Sequence, residues 1–225
     1  MRLRLDKKNV GKILEALYLL ILAALIAWSF LNTTKFEVIW PEYLYSDLKA
    51  ILLLIIILKA GYTGNYNRMD ILLIFIIGST ILFNVSRNGY VELEILLLLI
   101  IGAKGIDFRK IVRIYFIITA VLLFITIIAA LSGKIENLVY LQEGRRSRMA
   151  LGIGYPTDFS AYVFYGVIAY IYIRSKKLKY LELAVLFALG IGVYFITDAR
   201  LNTVCIIMTV FIFTYLKIRQ DYGRK

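Results

Sequence analysis

Three arginines that lie within four residues are the feature of this sequence most suited to chemistry. Arg145, Arg146 and Arg148 directly follow Gly144. Arginine offers a planar fork of N–H donors that matches phosphate oxygens, and its guanidinium stays charged at any working pH. The cluster therefore indicates an anion-binding site, and a solvated group of charges is the alternative interpretation.

A very short polar turn adds a carboxylate and a fourth arginine. Asp198 and Arg200 lie between two apolar runs, where charged side chains are costly unless they pair or serve a site. One interpretation is an ion pair between these two residues, and the other adds Arg200 to the cationic site. Arg87, at the end of another apolar run, could face the same space.

A second carboxylate, Asp158, follows a stretch that combines glycine with proline. Residues 151–156 read Leu-Gly-Ile-Gly-Tyr-Pro. Glycine permits tight or left-handed backbone, and the proline prevents regular helix before it. Thr157 or Asp158 is therefore predicted to cap the helix that follows, since both residue types accept hydrogen bonds from the first turn. Exposed backbone N–H groups at such a helix start can also bind an anion.

Long apolar runs must hold these residues in place. Hydrophobic residues make up 61% of the 225 residues, and the runs are long enough to cross roughly 30 Å of hydrocarbon as helices. We therefore predict an all-α, polytopic transmembrane helical bundle with both termini inside. Within the seventh run, Gly190 and Gly192 are predicted to allow close helix packing. The eight predicted spans cover approximately residues 13–31, 46–60, 70–86, 91–104, 110–131, 159–174, 180–197 and 201–218.

The distribution of basic residues sets the orientation. Most lysines and arginines fall in segments that are cytoplasmic if the N-terminus is inside, as the positive-inside rule requires. The net charge of +12 thus serves topology, and no nucleic acid is expected as a partner. The long outer loop, about 132–157, places the arginine cluster on the face where positive charge is disfavoured. Cys205 is the only cysteine and histidine is absent, so we expect no metal and no cofactor.

At this point the residues resemble a known family. The sequence from Arg145 to Pro156, opening into a span at Asp158, resembles the Arg…Leu-Gly-aromatic-Pro element of bacterial surface-polysaccharide polymerases, the O-antigen and capsule polymerase (Wzy-like) proteins. Residues 197–201 resemble their Ser-Arg turn two spans later, and residues 102–110 are similar to an inner loop of Gram-positive members. The chain has Thr-Asp after the proline where the family often has Asn, and Ala-Arg where it has Ser-Arg.

The resemblance implies a glycosyltransferase in the bacterial cytoplasmic membrane that joins polyprenyl-diphosphate-linked repeat units at the outer face. An acceptor hydroxyl would attack the anomeric carbon of the donor, and polyprenyl diphosphate would leave. A carboxylate would act as the base, with Asp158 first and Asp198 second. Lipid-linked oligosaccharide, membrane lipid and other polysaccharide-assembly proteins are the implied partners. The residues expected to bind the diphosphate are Arg145, Arg146, Arg148, Arg200 and Arg87.

Other functions remain open at this stage. Family members usually continue for several more spans and a second large outer loop, so residues 1–225 are expected to form one transmembrane domain that resembles the N-terminal part of a longer polymerase. A glycan ligase of the same superfamily would use the same site. A transporter or flippase for a lipid-linked or anionic substrate would instead need polar residues near mid-membrane. An inactive fragment that serves as an assembly partner is the last alternative.

Overall fold

In the computed structural model of the chain, the described residues form eight helices and one short hairpin, joined by loops. The structure describes residues 7–41, 43–63, 67–88, 92–141, 144, 146–175 and 177–222, without the side chains of 7, 8, 45, 60–63, 81, 82, 84–88, 92 and 222. The two short strands, β1 (Val139–Tyr140) and β2 (Arg148–Met149), pair antiparallel. The helices of this described part are α1 (Lys7–Leu31), α2 (Leu44–Thr63), α3 (Arg68–Asn88), α4 (Glu92–Gly102), α5 (Phe108–Leu131), α6 (Pro156–Arg174), α7 (Tyr180–Thr197) and α8 (Arg200–Tyr222).

All eight apolar runs form helices, so the all-α prediction is confirmed. Among the described residues, four helical segments are long and apolar enough to cross a membrane. By contrast, the described part of α4 has 11 residues and spans about 17 Å, roughly half the thickness of the hydrocarbon. The count of eight spans and the inward termini stay predictions. The four candidate spans are Asn9–Leu31, Phe108–Leu131, Tyr180–Thr197 and Arg200–Asp221.

The contacts divide the chain into two compact units. The first contains Met1–Leu25 and Ile39–Ile111, and the second contains Ile26–Val38 and Val112–Lys225. Helices α1 and α5 therefore contribute residues to both units. The single transmembrane domain stays a prediction.

In the first unit, buried polar side chains hold the end of the short helix α4. The Tyr18 hydroxyl donates to the carbonyl of Leu99 at 2.8 Å. The Lys59 ammonium, 4% exposed, donates to the carbonyls of Gly102 (2.6 Å) and Lys104 (2.8 Å). A cation that binds the last carbonyls of a helix satisfies acceptors that have no partner within the helix. The buried Lys59 ammonium therefore caps the C-terminal end of α4.

In the second unit, α6, α7 and α8 pack around aliphatic side chains that include Val167, Val193 and Ile206. A Cβ atom at Gly190 would lie 2.8 Å from the Ile206 Cγ2 atom, so the missing side chain lets α7 and α8 approach closely. The prediction of close packing is confirmed for Gly190. It is wrong for Gly192, where a Cβ atom would meet nothing within 4 Å. Two glycines that are two apart on a helix face different directions, which is why only one of them packs.

The start of α6 differs from the prediction. The residue that precedes the first helical turn is Tyr155, with extended backbone (φ −135°, ψ 144°), and its side chain makes no capping hydrogen bond. Neither Thr157 nor Asp158 is the cap, because Pro156 occupies the first helical position, where its fixed φ suits the helix and its missing N–H is not needed. Asp158 lies instead inside the first turn, where a negative charge favours the positive end of the helix dipole.

Candidate functional site

The hairpin brings Arg148 to the end of α7. Tyr140 pairs with Arg148 in the register of the two strands. The Arg148 Nε group donates to the carbonyl of Thr197, the last residue of α7, at 2.9 Å. Because the last carbonyls of a helix carry partial negative charge and lack helical partners, a guanidinium stabilises them in two ways. Sequence analysis singled out Arg148 and the turn at residue 198 as separate features. In the structure, the hydrogen bond from Arg148 to Thr197 brings them together.

Arg146 reaches the same end of α7. Its guanidinium carbon lies 5.3 Å from the centre of the Phe195 ring and 5.9 Å from the centre of the Tyr194 ring. These distances are within the range of cation–π attraction, and the side chain stays exposed. Two members of the cluster thus meet at one helix end. Arg145 lies outside the described residues.

The turn between α7 and α8 holds Asp198 beside Arg200. Asp198 has left-handed backbone (φ 45°, ψ 31°), and its side chain is only 5% exposed. Its Oδ1 atom lies 3.8 Å from the Nε atom of Arg200, whose side chain is 65% exposed. The ion pair expected from sequence is therefore present, but the distance is longer than a hydrogen bond. Because the Arg200 side chain is largely exposed, the pair leaves it accessible to an anion.

The starts of α6 and α8 are tied together by a residue that the sequence analysis missed. The Asn202 amide donates to the Thr157 carbonyl at 3.0 Å and to the Ser160 hydroxyl oxygen at 2.6 Å. Ser160 is fully buried and donates to the same Thr157 carbonyl. These bonds place the first turn of α6, with Asp158, at the same end of the second unit as Arg200. An asparagine two residues after a charged turn, inside an apolar run, was the available signal.

The loop that carries the arginines is anchored to the segment after α1. The Lys35 N–H donates to the Gly152 carbonyl at 2.8 Å, and the Gly154 N–H donates to the Thr33 carbonyl at 2.7 Å. Gly152 has a φ of +83°, and a Cβ atom there would lie 2.7 Å from the Ile135 Cδ1 atom. Only glycine fits both this backbone and this space. These contacts hold residues 152–154 against the segment after α1.

An apolar groove of about 910 Å³ begins beside these arginines. Met149 and Ile196 line one end, and they are the chain neighbours of Arg148 and Thr197. The groove follows α7 back to Glu182, a distance of about 21 Å at 1.5 Å per residue. Its walls come from three helices: Phe116, Leu123 and Ile127 of α5, Val163, Gly166 and Val167 of α6, and Val185, Leu189 and Gly192 of α7.

A fixed carboxylate closes the far end of the groove. Glu182 accepts hydrogen bonds from the Tyr170 hydroxyl at 2.5 Å and from the Lys179 N–H at 2.7 Å. The Arg174 Nη2 atom lies 2.9 Å from the same carboxylate. This cluster joins α6 to the first turn of α7. With three partners, Glu182 is held in one position, which indicates a structural role.

The remaining predicted site residue belongs to the first unit. Arg87 lies on α3, and its side chain is outside the described residues. Within the part of the chain that the structure covers, no three or more Cys, Asp or Glu residues lie close enough to hold a metal ion. The end of α7 offers guanidinium groups and the Asp198 carboxylate, and Asp158 lies in the first turn of α6. These groups are of the types suited to binding an anion and moving a proton.

The comparisons with known proteins add no relative: no family model, no curated protein and no solved structure matches the chain.

Proposed function

We propose that the chain is a polysaccharide-polymerase-like glycosyltransferase of the bacterial cytoplasmic membrane. It joins polyprenyl-diphosphate-linked repeat units at the outer face. The observation that carries the proposal is the meeting of Arg146, Arg148 and the turn with Arg200 at one end of α7, where the apolar groove also ends. A lipid-linked diphosphate combines the two chemistries that these features offer: phosphate oxygens for the arginines and a long isoprenoid chain for the groove.

The arginines act on the leaving group. The acceptor hydroxyl oxygen forms a bond to the anomeric carbon of the donor while the bond from that carbon to the diphosphate oxygen breaks. Negative charge grows on the diphosphate, and positioned guanidinium groups stabilise it more strongly than water does. Loss of Arg148 or Arg200 should therefore slow transfer.

Asp158 accepts the proton of the acceptor hydroxyl. A general base must come within hydrogen-bond reach of that proton. Asp198 is 5% exposed and faces Arg200, whereas Asp158 is partly exposed in the first turn of α6. The exposed carboxylate is the more accessible to a substrate, which favours Asp158 as the base and gives Asp198 the task of orienting Arg200.

The proposed topology has eight spans with both termini in the cytoplasm. The hairpin, the start of α6 and the turn after α7 then share the outer side, where lipid-linked repeat units are polymerised. The bias of lysine and arginine between the segments supports this orientation. The chain then works as one transmembrane domain, alone or with other polysaccharide-assembly proteins.

The nature of the groove favours this function over transport. Its lining is almost entirely aliphatic and aromatic, with Thr119, Tyr162, Tyr170 and Glu182 as the polar members. A transporter requires polar groups around its substrate at mid-membrane. An apolar groove with arginines beside one end suits a lipid that presents its headgroup at the membrane surface.

The test is complementation in the native host. The gene is deleted, the surface polysaccharide is examined by gel, and the 225-residue chain is restored alone. We expect long polymer to disappear, single repeat units to remain, and the ladder to return on restoration. Loss of glycan from the final acceptor with normal polymer length would instead identify a ligase.

Variants of two arginines extend the same test. We expect Arg148→Ala and Arg200→Ala each to lower polymer yield by about tenfold or more, the effect of losing one donor to a developing charge. Arg219→Ala is the matched control, because Arg219 is an exposed arginine in the last turn of α8. Unchanged polymer length and yield in both site variants would refute the assignment of the arginines.

A further inference from the structure

A second cleft in the same unit has a different chemical character. Its volume is about 760 Å³, and it lies between the segment after α1 and the connection from α5 to β1. Four of its eight lining residues are charged: Lys35, Glu37, Lys134 and Glu136. Two cations and two anions leave the cleft with no net charge. It therefore differs from the arginine end of α7, which is cationic.

The charged side chains of this cleft form no hydrogen-bonded ion pair with one another in the part of the chain that the structure describes. The closest pair, Lys35 Nζ and Glu136 Oε2, is 3.9 Å apart, which is too far for a hydrogen bond. Lys134 and Glu37 form no ion pair with any other residue that the structure describes. A hydroxyl group can both donate and accept, so it can bridge a lysine and a glutamate at this separation.

An aromatic ring and apolar carbon form the rest of the lining. Phe36 is half-buried, and Ala129 and Ile135 lie opposite on the other segment. The face of an aromatic ring is electronegative and attracts the C–H groups of a sugar ring. Hydroxyl-binding charges of both signs beside an aromatic ring are a combination that suits a neutral carbohydrate, whereas an anion gains no net attraction from a cleft without net charge.

The cleft is coupled to the loop of the arginines. The Lys35 N–H donates to the Gly152 carbonyl, and Ile135 fills the space beside Gly152 that a side chain would occupy. The cleft thus contacts Gly152, four residues after Arg148 in the chain. A ligand in the cleft would lie next to the loop that leads to Arg148.

We propose that this cleft binds the sugar portion of the acceptor, an oligosaccharide without net charge. The proposal rests on the proposed function and divides the substrates between two sites: phosphate at the arginines and glycan in the cleft. Lys35 and Lys134 donate to sugar hydroxyls, Glu37 and Glu136 accept from them, and Phe36 packs on the C–H face of one ring.

The test measures sugar binding to the full chain in lipid nanodiscs. The probe is one repeat unit of the host polysaccharide, used as a free oligosaccharide without its lipid. The binding affinity is measured by titration calorimetry. We expect Phe36→Ala to weaken binding by about 3- to 10-fold, the cost of one aromatic contact. Glu136→Gln keeps the shape and loses the charge, and we expect about a tenfold weakening. Arg219→Ala is the control and should bind as the wild type does.

Two outcomes would overturn the cleft assignment, and the gene deletion tests the proposed function separately. Wild-type affinity in both Phe36→Ala and Glu136→Gln, with unchanged melting temperatures, would overturn the cleft assignment. Absence of any binding to the wild-type chain would overturn it as well. In either case, loss of polymer on gene deletion would still support the proposed function. Normal polymer after deletion would refute the proposed function, whether or not the oligosaccharide binds.

Discussion

Asp198 has a backbone conformation that glycine usually occupies. Most helices that end in a left-handed residue place glycine there, since a side chain at positive φ costs about 1–2 kcal/mol. Asp198 has a φ of 45°, and its N–H donates to the Tyr194 carbonyl at 2.9 Å. The carboxylate lies 5% exposed beside the Arg200 guanidinium. A cost of this kind at a proposed site suggests that the carboxylate is retained for what it does to Arg200.

Replacement of Asp198 by glycine separates the two roles of this residue. Asp198→Gly keeps the turn and removes the carboxylate, so the melting temperature in detergent should stay equal or rise. Polymer yield should fall several-fold, because Arg200 loses its ion-pair partner. Both quantities are measured on the same variant. Full polymer yield in Asp198→Gly would show that the carboxylate contributes only to the turn.

Single residues could be named from the sequence, but their partners could not. Arg148 and Arg200 stand out because charge near an apolar run is costly. The acceptor of Arg148 is the Thr197 carbonyl, and a backbone carbonyl leaves no mark on the sequence. Thr157 and Asp158 were expected to cap α6, and Pro156 displaced both by starting the helix first. Local chemistry was thus predicted where one residue decides it and missed where two neighbours compete.

At the scale of helices, the order was predictable because lipid leaves the backbone few alternatives. A buried segment without water must satisfy its own N–H and C=O groups, so each apolar run becomes a helix. The hairpin of β1 and β2 was not predicted, since two-residue strands depend on a pairing that local sequence does not encode. The cleft was missed for a similar reason: Lys35 and Glu136 are far apart in the chain and each resembles a solvated loop charge.

Two glycines of α7 give a matched test of helix packing. A Cβ atom at Gly190 would lie 2.8 Å from Ile206, whereas one at Gly192 would meet nothing within 4 Å. We expect Gly190→Ala to destabilise the protein by about 1–3 kcal/mol through overpacking. Gly192→Ala should be neutral or stabilising, because alanine favours helix by up to about 1 kcal/mol. Thermal unfolding in detergent measures both, and equal melting temperatures would contradict the packing of α7 on α8.

A larger side chain at a glycine of the groove wall should block the groove. Gly166 lines it on α6, and a Cβ atom there would meet nothing within 4 Å. We expect Gly166→Leu to place its side chain in the groove, to keep the melting temperature and to lower polymer yield. Gly11→Leu is the control, since Gly11 is also helical and open but lies on α1 outside the groove. Normal yield in Gly166→Leu would show that the lipid chain lies elsewhere.

At the scale of the whole molecule, orientation is the property on which the proposed chemistry depends. The arginine loop and the turn after α7 must lie outside the cytoplasm, where polymerisation on lipid-linked units takes place. The distribution of lysine and arginine predicts that orientation. Helix contacts alone carry no information about direction, because a bundle has the same internal packing either way up.

Cysteine labelling tests the orientation directly. Cys205 is the only cysteine, so a Cys205→Ala background can carry single cysteines at chosen positions. We expect a membrane-impermeant maleimide to label Ser147→Cys in intact spheroplasts. Lys177→Cys, in the exposed connection from α6 to α7, should react only after lysis. The opposite pattern would place the arginines in the cytoplasm and exclude the proposed reaction at the outer face.

The pairing of the segment after α1 with the start of α6 also has a consequence for biosynthesis. The Thr33 hydroxyl lies 3.0 Å from the Tyr162 hydroxyl, and the two residues are 129 positions apart. At a synthesis rate of about 5–20 residues per second, Thr33 waits roughly 6–26 seconds before Tyr162 leaves the ribosome. Until then Thr33 lacks this contact with α6. The contacts that anchor the arginine loop therefore depend on a segment that was synthesised more than 100 residues earlier.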